Sequence, residues 1–234
     1  MFEGKKILIT GGTGSLGQAL TKRLLKSDVD TIRIFSRNES KQIEMASKLT
    51  DKRLRFLLGD IRDYDRLNRA LEDIDIVFHV AALKHVPVIE YNPFEGIKTN
   101  VIGSQNVIAA CLEQNVERAI CIGTDKAVSP INTYGATKLL MEKLFVTASN
   151  YLNQQRHRTK FITLRYGNVV GSRGSVVPFF NKLISKGTDH LPITHKDMTR
   201  FWITLQQGVD FVLKNFGRMY GGELFVPKIP SVKF

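Results

Sequence analysis

Short apolar runs alternate with longer amphipathic segments along most of the chain. The apolar runs predict strands at residues 6–10, 31–35, 54–58, 74–80, 118–122 and 161–165. Intervening segments, for example residues 15–26 and 99–113, carry apolar positions at helical spacing. Such alternation is typical of parallel strands whose two faces are both covered by helices. We therefore predict an α/β fold with a doubly wound parallel sheet.

The pattern changes after residue 165. Residues 166–178 are rich in Gly, Ser and Asn, which predicts a loop. Apolar spacing then predicts a helix over residues 177–185, another over 205–216, and a short strand at 223–226. Phe179, Phe180 and Trp202 are large and apolar, so we expect them in the core.

Composition and cysteine usage narrow the class of protein. The chain has 234 residues, of which 43% are hydrophobic and 24% charged, an ordinary globular balance. No apolar window is long enough to span a membrane, and the N-terminus runs directly into the first strand without a signal peptide. Cys111 and Cys121 lack a metal-binding spacing, so no metal site is predicted. We expect a cytoplasmic protein with no membrane partner.

The formal net charge is +12. The basic residues are scattered, and no basic run carries interleaved aromatic residues, so no nucleic-acid partner is predicted. A positive field would also favour ligands that carry several phosphates.

A glycine-rich segment follows the first predicted strand and opens a helix. Glycines at this spacing allow a tight turn, a close backbone approach to a pyrophosphate and close packing of helix on sheet. The helix N-terminus then favours the anion. The pattern alone is weak evidence, but between a strand and a helix it predicts a Rossmann-type dinucleotide site, with candidate residues Gly11, Thr13, Gly14, Ser15, Leu16 and Gly17.

The end of the second strand bears on the choice of cofactor. NAD-selective sites place Asp or Glu there, whereas this chain has Ser36-Arg37-Asn38. Arg37 can pair bidentately with a 2′-phosphate, and Ser36 and Lys41 could help. NADP is therefore favoured over NAD, although a solvated basic turn would have the same residues.

Asp60 and Ile61 follow the third predicted strand, where an adenine edge would lie. Asp60 could accept a hydrogen bond from the adenine amino group, or cap the helix that follows. Both alternatives stay open at this point.

Tyr134 and Lys138 lie one helical turn apart after the fifth strand. A phenol with a pKa of about 10 is a poor base at neutral pH, but a nearby ammonium and a cationic nicotinamide lower that pKa. Tyr134 can then take the proton of a sugar hydroxyl as hydride leaves the same carbon, while Lys138 binds the nicotinamide ribose. Thr124-Asp125-Lys126 places an acid and a base nearby, which a simple dehydrogenase does not need and a sugar dehydratase does.

These motifs together resemble the extended short-chain dehydrogenase/reductase family. More narrowly, residues 81–87, 124–127, 165–175 and 225–228 resemble the inverting UDP-N-acetylglucosamine 4,6-dehydratases of surface-sugar biosynthesis. Related retaining enzymes usually have Met at the position of Tyr134, which favours the inverting subgroup. Family members continue for roughly a hundred further residues, so the resemblance implies a chain truncated at its C-terminus.

The resemblance implies roles for individual residues. Lys126 would remove the sugar C5 proton, Asp125 would act as the acid at O6, and Thr124 would hydrogen-bond the C4 oxygen. Ala81 and Ala82 would contact the cofactor. Substrate contacts are expected, with surface charges as the alternative, from Lys84, His85, Asn168, Arg173 and Arg200.

Two domains are predicted: an NADP-binding Rossmann domain over residues 1–165 and a partial nucleotide-sugar-binding region over 166–234. The expected substrate is UDP-N-acetylglucosamine or a similar UDP-sugar, and a homo-oligomer is expected. Two alternatives stay open. A UDP-sugar 4-epimerase needs Tyr134 and Lys138 but not Asp125 and Lys126. A non-catalytic, truncated NADP-binding protein needs none of the catalytic residues.

Overall fold

A seven-stranded parallel sheet forms the centre of the protein, in the order β3-β2-β1-β4-β5-β6-β9. The structure is a computed structural model that describes residues 1–150, 152–153, 156–172, 174–193 and 195–233. The strands of the described residues are β1 (Lys6–Thr10), β2 (Thr31–Ser36), β3 (Leu54–Leu58), β4 (Ile76–His79), β5 (Arg118–Ile122), β6 (Lys160–Leu164), β7 (Asn168–Val169), β8 (Thr199–Ile203), β9 (Leu224–Phe225) and β10 (Ser231–Lys233).

All six predicted strands of the first part of the chain are present. β4 is shorter than predicted, because the Ile74 amide donates to the Leu71 carbonyl in the turn before the strand, 3.1 Å away. Every neighbouring pair in the large sheet is parallel. The predicted doubly wound α/β fold is therefore confirmed.

Helices cover both faces of this sheet. They are α1 (Ser15–Leu24), α2 (Glu39–Lys48), α3 (Tyr64–Ala70), α4 (Val86–Tyr91), α5 (Pro93–Gly96), α6 (Gly103–Glu113), α7 (Thr133–Ala148), α8 (Val176–Ile184) and α9 (Leu205–Phe216). A π-helical segment (Ile97–Ile102) leads into α6, so the single helix predicted over 99–113 has two parts. In the described part of the chain, no helix combines the length and apolar character needed to cross a membrane.

The alternation of β1 shows why its sequence is apolar throughout. Ile7 and Ile9 belong to the core on the face of the sheet that also contains Phe216 of α9. Leu8 belongs to the core on the opposite face, with Phe145 of α7. All five of these side chains are 0–1% exposed. Burial on both faces is expected for a parallel sheet with helices on each side.

The chain after β6 forms a second, smaller arrangement. β7, β8 and β10 make a three-stranded sheet, and α8 has no buried residue. The expectation that Phe179 lies in the core is wrong: it is 49% exposed, because α8 packs on no second layer among the described residues. Trp202 is half-buried.

Two elements of this later region return to the large sheet. α9 packs against α1, and β9 pairs with β6 through Thr163–Leu224 and Leu164–Phe225. Residues beyond 165 thus contribute to the seven-stranded sheet and the helices that cover it, as well as to the small sheet. The proposed domain division at residue 165 stays a prediction.

Candidate active site

A cleft of about 540 Å³ opens at the carboxyl ends of β1, β4, β5 and β6. Ligands of doubly wound folds bind at this edge of the sheet. Of the residues predicted to form the site, those that line the cleft are Gly11, Gly14, Ser15, Leu16, Lys41, Ala81, Ala82, Lys84, His85, Thr124, Lys126, Tyr134, Lys138 and Asn168.

The glycine loop approaches its neighbours closely. Gly11 has a positive φ of 65°, and a Cβ atom there would lie 2.8 Å from the Ala81 backbone. A Cβ atom on Gly17 would lie 2.5 Å from the Cα of Gly12. Both positions therefore require glycine, one for its conformation and its contact with Ala81, the other for the packing of α1 on the loop.

The N-terminus of α1 faces the cleft without a side-chain cap. Gly14 is the N-cap residue, and the first turn contains no acidic side chain. Ser15 and Leu16 of that turn line the cleft, whereas Thr13 is buried and its carbonyl accepts from the Gln18 side chain, 2.9 Å away. An uncapped N-terminus of this kind fits the pyrophosphate of a dinucleotide.

The residues after β2 divide between structural and exposed positions. The Ser36 hydroxyl is buried and accepts from Gln42 Nε2 at 3.1 Å. Asn38 caps α2 by accepting from the Lys41 amide at 2.8 Å. The Arg37 side chain is 48% exposed and lies 3.4 Å from the Asp60 carboxylate. At this end of the site, Ser36 and Asn38 therefore have structural roles, whereas Arg37 and Lys41 have cationic groups that a ligand can reach.

Asp60 does not cap the helix that follows it. Asp63 caps α3, since its carboxylate accepts from the Arg66 amide at 3.0 Å. Asp60 binds the Arg62 amide and guanidinium, at 3.0 and 2.9 Å. Burial opposes ionisation of Asp60, but Arg62 and Arg37 outweigh it and lower the pKa of the carboxyl. The Ile61 side chain is a core residue, 4% exposed.

His79 ends β4 beneath the glycine loop and is buried. Its Nδ1 lies 2.8 Å from the Thr10 hydroxyl and its Nε2 lies 2.9 Å from the Ser104 hydroxyl. Because Ser104 donates to the Asn100 carbonyl, it accepts from Nε2, and Nδ1 accepts from Thr10. Burial, and then the charge of Lys138, lower the pKa of His79 to about 3. His79 is a neutral structural residue.

Tyr134 and Lys138 lie on the buried face of α7, 8% and 4% exposed. Asn132 begins this helix by accepting from the Gly135 amide at 2.8 Å. The Lys138 ammonium donates to the Ile122 carbonyl at 2.7 Å. Burial raises the pKa of Tyr134 to about 12, a hydrogen bond with Thr124 opposes this, and the Asp125 carboxylate adds to it. Burial lowers the pKa of Lys138.

The Thr124–Lys126 turn meets this helix directly after β5. The Thr124 hydroxyl donates to Asp125 Oδ1 at 2.9 Å. The Lys126 ammonium donates to the same oxygen at 3.0 Å and to Asn168 Oδ1 at 2.8 Å. Asp125 does not line the cleft itself but contacts two residues that do. A base and a phenol therefore line one wall of the cleft, and the acid contacts that wall through Thr124 and Lys126.

The residues that were predicted to contact the substrate do not all lie at the cleft. Lys84 and His85 line the mouth of the cleft, and a Cβ atom on Gly174 would lie 2.6 Å from the His85 ring. Arg200 lies on β8, outside the cleft lining, and donates to the Thr199 carbonyl at 2.8 Å. Arg173 lies outside the described residues.

Sequence reasoning missed two buried residues beside the cleft. Asn100 accepts from the Leu83 amide at 2.8 Å and donates to the Leu83 carbonyl at 3.0 Å, which fixes the segment after β4. Glu142 pairs with Arg165. Glu142 lies at helical spacing from Tyr134 and Lys138, which is the signal that could have identified it; Asn100 has no comparable signal.

A parallel Rossmann sheet, a glycine loop at an uncapped helix and a buried Tyr-x-x-x-Lys pair together define an extended short-chain dehydrogenase/reductase. A family model described as polysaccharide biosynthesis protein matches residues 7–234. The chain belongs to this family.

Known relatives agree with this assignment. The chain is 58% identical over 234 residues to a protein of Campylobacter jejuni named UDP-N-acetylglucosamine 4,6-dehydratase (inverting), and the match covers 100% of the chain and 70% of that relative. It is 46% identical to a Rickettsia bellii protein named UDP-glucose 4-epimerase, covering 99% of the chain and 68% of the relative. The crystal structure of Pen from Bacillus thuringiensis has a TM-score of 0.95 at 42% identity, covering 100% of the chain and 71% of that structure.

Proposed function

We propose that the protein is a nucleotide-sugar lyase, an NADP-dependent UDP-N-acetylglucosamine 4,6-dehydratase that inverts C5, in the synthesis of surface polysaccharides or glycans. The observation that carries the proposal is the contact of Lys126 with both Asp125 and Asn168, at 3.0 and 2.8 Å, on the wall shared with Tyr134. Elimination of water needs an acid and a base in addition to the Tyr134–Lys138 pair. The identity of 58% to the Campylobacter dehydratase supports the same function.

The glycine loop and the uncapped start of α1 fit a dinucleotide, and Arg37 with Lys41 fits a 2′-phosphate. NADP is therefore the proposed cofactor. When bound, its oxidised nicotinamide supplies a hydride acceptor at sugar C4, later a hydride donor at C6, and a positive charge that favours the Tyr134 phenolate.

The side chains of the protein move the protons in this proposal. Tyr134 takes the proton from O4 as the C4–H bond breaks, and Lys138 binds the nicotinamide ribose. The C4 ketone acidifies the C5 proton. A proton passes from the Lys126 ammonium to the Asp125 carboxylate across their 3.0 Å contact, which leaves Lys126 as the amine that removes the C5 proton and Asp125 as the acid that protonates O6 so that water leaves. Reprotonation of C5 on the opposite face inverts that carbon. The net reaction is loss of one water, with no net oxidation.

Substrate placement falls to the other residues of the cleft. Thr124 is proposed to hydrogen-bond the C4 oxygen, and Asn168, besides holding Lys126, lies where it can contact the sugar. Lys84 and His85, at the mouth of the cleft, are proposed to meet the diphosphate side of the substrate. A cytoplasmic location and a homo-oligomeric state stay predictions.

Proton NMR in heavy water tests the proposal directly. The protein is incubated with NADP and UDP-N-acetylglucosamine. We expect a new C6 methyl signal with deuterium at C5, and product couplings that report the inverted configuration. If substrate and NADP both bind and no C6 methyl signal forms, the proposal is wrong.

A second candidate is a UDP-sugar 4-epimerase, which the identity of 46% to the Rickettsia bellii protein favours. In the same NMR experiment it would form UDP-N-acetylgalactosamine without a C6 methyl signal.

The Lys126→Ala variant separates the two enzymes. A dehydratase loses the base that removes the C5 proton, so we expect its turnover to fall by about 10²–10⁴-fold. Oxidation at C4 does not need Lys126, so reduced cofactor should still accumulate at 340 nm. An epimerase would keep its turnover in this variant.

A further inference from the structure

Glu142 lies on α7 one helical turn after Lys138 and two turns after Tyr134. Its side chain is among the buried charges of the molecule, 2% exposed. Carboxylates are rarely buried this deeply unless they are paired. None of the proton transfers proposed above uses Glu142, so its burial beside the catalytic residues needs a separate explanation.

Arg165, directly after β6, is the charged partner of Glu142. Its Nε lies 3.3 and 3.2 Å from the two carboxylate oxygens, and its Nη2 also donates to Oε2. The Arg165 side chain is 16% exposed. A guanidinium that contacts both carboxylate oxygens fixes their orientation as well as neutralising their charge. This buried pair joins α7 to the end of β6.

The same carboxylate also binds the catalytic turn. The Thr124 amide donates to Glu142 Oε1 at 3.2 Å. Gly123 precedes it, and a Cβ atom at that position would overlap Oε1 and lie 3.0 Å from the Glu142 carboxyl carbon. From the other side, the Asp125 amide donates to the Tyr166 carbonyl at 3.1 Å. The turn is therefore held by α7 through Glu142 and by the segment after β6 through its backbone.

We infer that Glu142 is a positioning residue: oriented by Arg165, its carboxylate holds the Thr124–Lys126 turn in place against Tyr134 for proton transfer. The inference rests on the proposed function and deepens it. Glu142 does not line the cleft, so it acts through Thr124 and not on the sugar.

The negative charge of Glu142 also affects the pKa values of the two catalytic residues on α7. Burial raises the pKa of Tyr134 and lowers that of Lys138, and the Glu142 carboxylate has a smaller raising effect on each. Glu142→Gln keeps one acceptor oxygen for the Thr124 amide, but its Nε2 then faces the Arg165 guanidinium, which donates to Oε2 in the wild type, so the ion pair is lost. The other charged or titratable groups near Tyr134 and Lys138 are Arg165, which loses its partner, and Cys121, Asp125, Lys126, Tyr166 and His79, which stay in place.

The test compares Glu142→Ala and Glu142→Gln with a matched control. Glu117→Gln removes a part-buried carboxylate that pairs with Lys5 at 2.7 Å, away from the cleft. Without substrate, hydrogen exchange measured by mass spectrometry follows the backbone of residues 122–128. We expect faster exchange there in Glu142→Ala, a smaller increase in Glu142→Gln, which keeps an acceptor for Thr124 but loses the pair with Arg165, and protection near that of the wild type in Glu117→Gln.

Turnover supplies the second readout. We expect kcat to fall by about 100-fold in Glu142→Ala with KM for the UDP-sugar nearly unchanged, because a displaced catalytic group affects the reaction more than binding. Glu142→Gln should recover part of kcat, and the limb of its kcat–pH profile that Tyr134 sets should move to lower pH. Glu117→Gln should change neither.

Two results would overturn the inference. One is a Glu142→Ala variant with unchanged exchange at residues 122–128 and unchanged kcat. The other is faster exchange throughout the chain with no recovery in Glu142→Gln, which would mean that the ion pair stabilises the fold in general. If the wild-type protein does not dehydrate the UDP-sugar, the proposed function fails, while the exchange experiment still decides the role of Glu142.

Discussion

The two walls of the cleft are built in different ways. The wall formed by β1, β2 and β4 is mostly backbone: glycines pack against Ala81 and Gly12, and α1 presents an uncapped N-terminus. The wall formed by β5, β6 and α7 is built from buried polar and charged side chains, including Thr124, Tyr134 and Lys138. The first wall should therefore be disrupted by adding atoms, and the second by removing them.

Tyr134→Phe removes one oxygen from the second wall and should have the largest effect. The proton of O4 then has no acceptor, so we expect kcat to fall by about 10²–10⁴-fold with the fold intact. Steady-state kinetics and circular dichroism measure the two quantities. Tyr220→Phe, at a residue 83% exposed, is the control. Equal activity of the two variants would remove Tyr134 from the proposed mechanism.

Gly17→Ala adds one methyl group to the first wall. The new Cβ atom would lie 2.5 Å from the Cα of Gly12, and backbone there cannot move aside cheaply. We expect a loss of about 1–3 kcal/mol in the free energy of unfolding and weaker NADP binding. Chemical denaturation and cofactor titration measure these effects.

Gly208→Ala is the matched control for Gly17→Ala. Gly208 lies within α9, and a Cβ atom there meets no atom within 4 Å. Alanine should stabilise the helix slightly at this position. If both alanine variants have the same unfolding free energy and the same affinity for NADP, the first wall does not depend on close packing of the loop.

Arg37→Ala tests one of the two side-chain contacts, from Arg37 and Lys41, that the first wall is proposed to make with the cofactor. Loss of a charge-assisted contact to a 2′-phosphate should weaken NADP binding by about 1.5–3 kcal/mol and leave NAD binding unchanged. Calorimetric titration with each cofactor measures the ratio. Lys22→Ala removes the same charge from an exposed position on α1. An equal loss for NAD and NADP would argue against the assignment of NADP.

His79 hydrogen-bonds Thr10 of the first wall, and its titration should give the smallest effect for a change of one pH unit. Its pKa is lowered to about 3 in the folded protein, against about 6.5 when unfolded. Between these values the unfolded chain binds a proton at His79 that the folded chain does not, so stability falls as pH falls through this window, by at most about 1.4 kcal/mol per pH unit.

A comparison of variants isolates the contribution of His79. His79→Asn should flatten the dependence of unfolding free energy on pH below about 6.5, relative to the wild type. Identical slopes in the wild type and His79→Asn would show that His79 is protonated in the folded protein.

The first wall was the easier one to predict from sequence. Its glycines are local in the chain, and the strands on either side are continuous apolar runs. β1, β3 and β5 begin and end where the sequence predicted. The change from π-helix to α-helix at residue 103 was not predicted, because apolar spacing does not reveal a widened turn.

The second wall was predicted only in part, because its partners come from distant segments. Tyr134, Lys138 and the Thr124–Lys126 turn form a local motif. The contact of Glu142 with Arg165 joins α7 to the end of β6. No sequence pattern predicts that these two residues form a pair. The helix α8 was predicted within one residue at each end, but the burial of Phe179 was mispredicted, because an apolar helix need not be buried by the rest of the described chain.

The pairing of β9 with β6 has a consequence for the order in which the protein is made. β6 is synthesised well before β9, and β7, α8, β8 and α9 lie between them in the chain. During translation one edge of β6 therefore lacks its partner until residues 224 and 225 have left the ribosome. An unpaired strand edge is a site of aggregation and mispairing. Nascent chains that stop before β9 are thus the form of this protein with the greatest need for a chaperone.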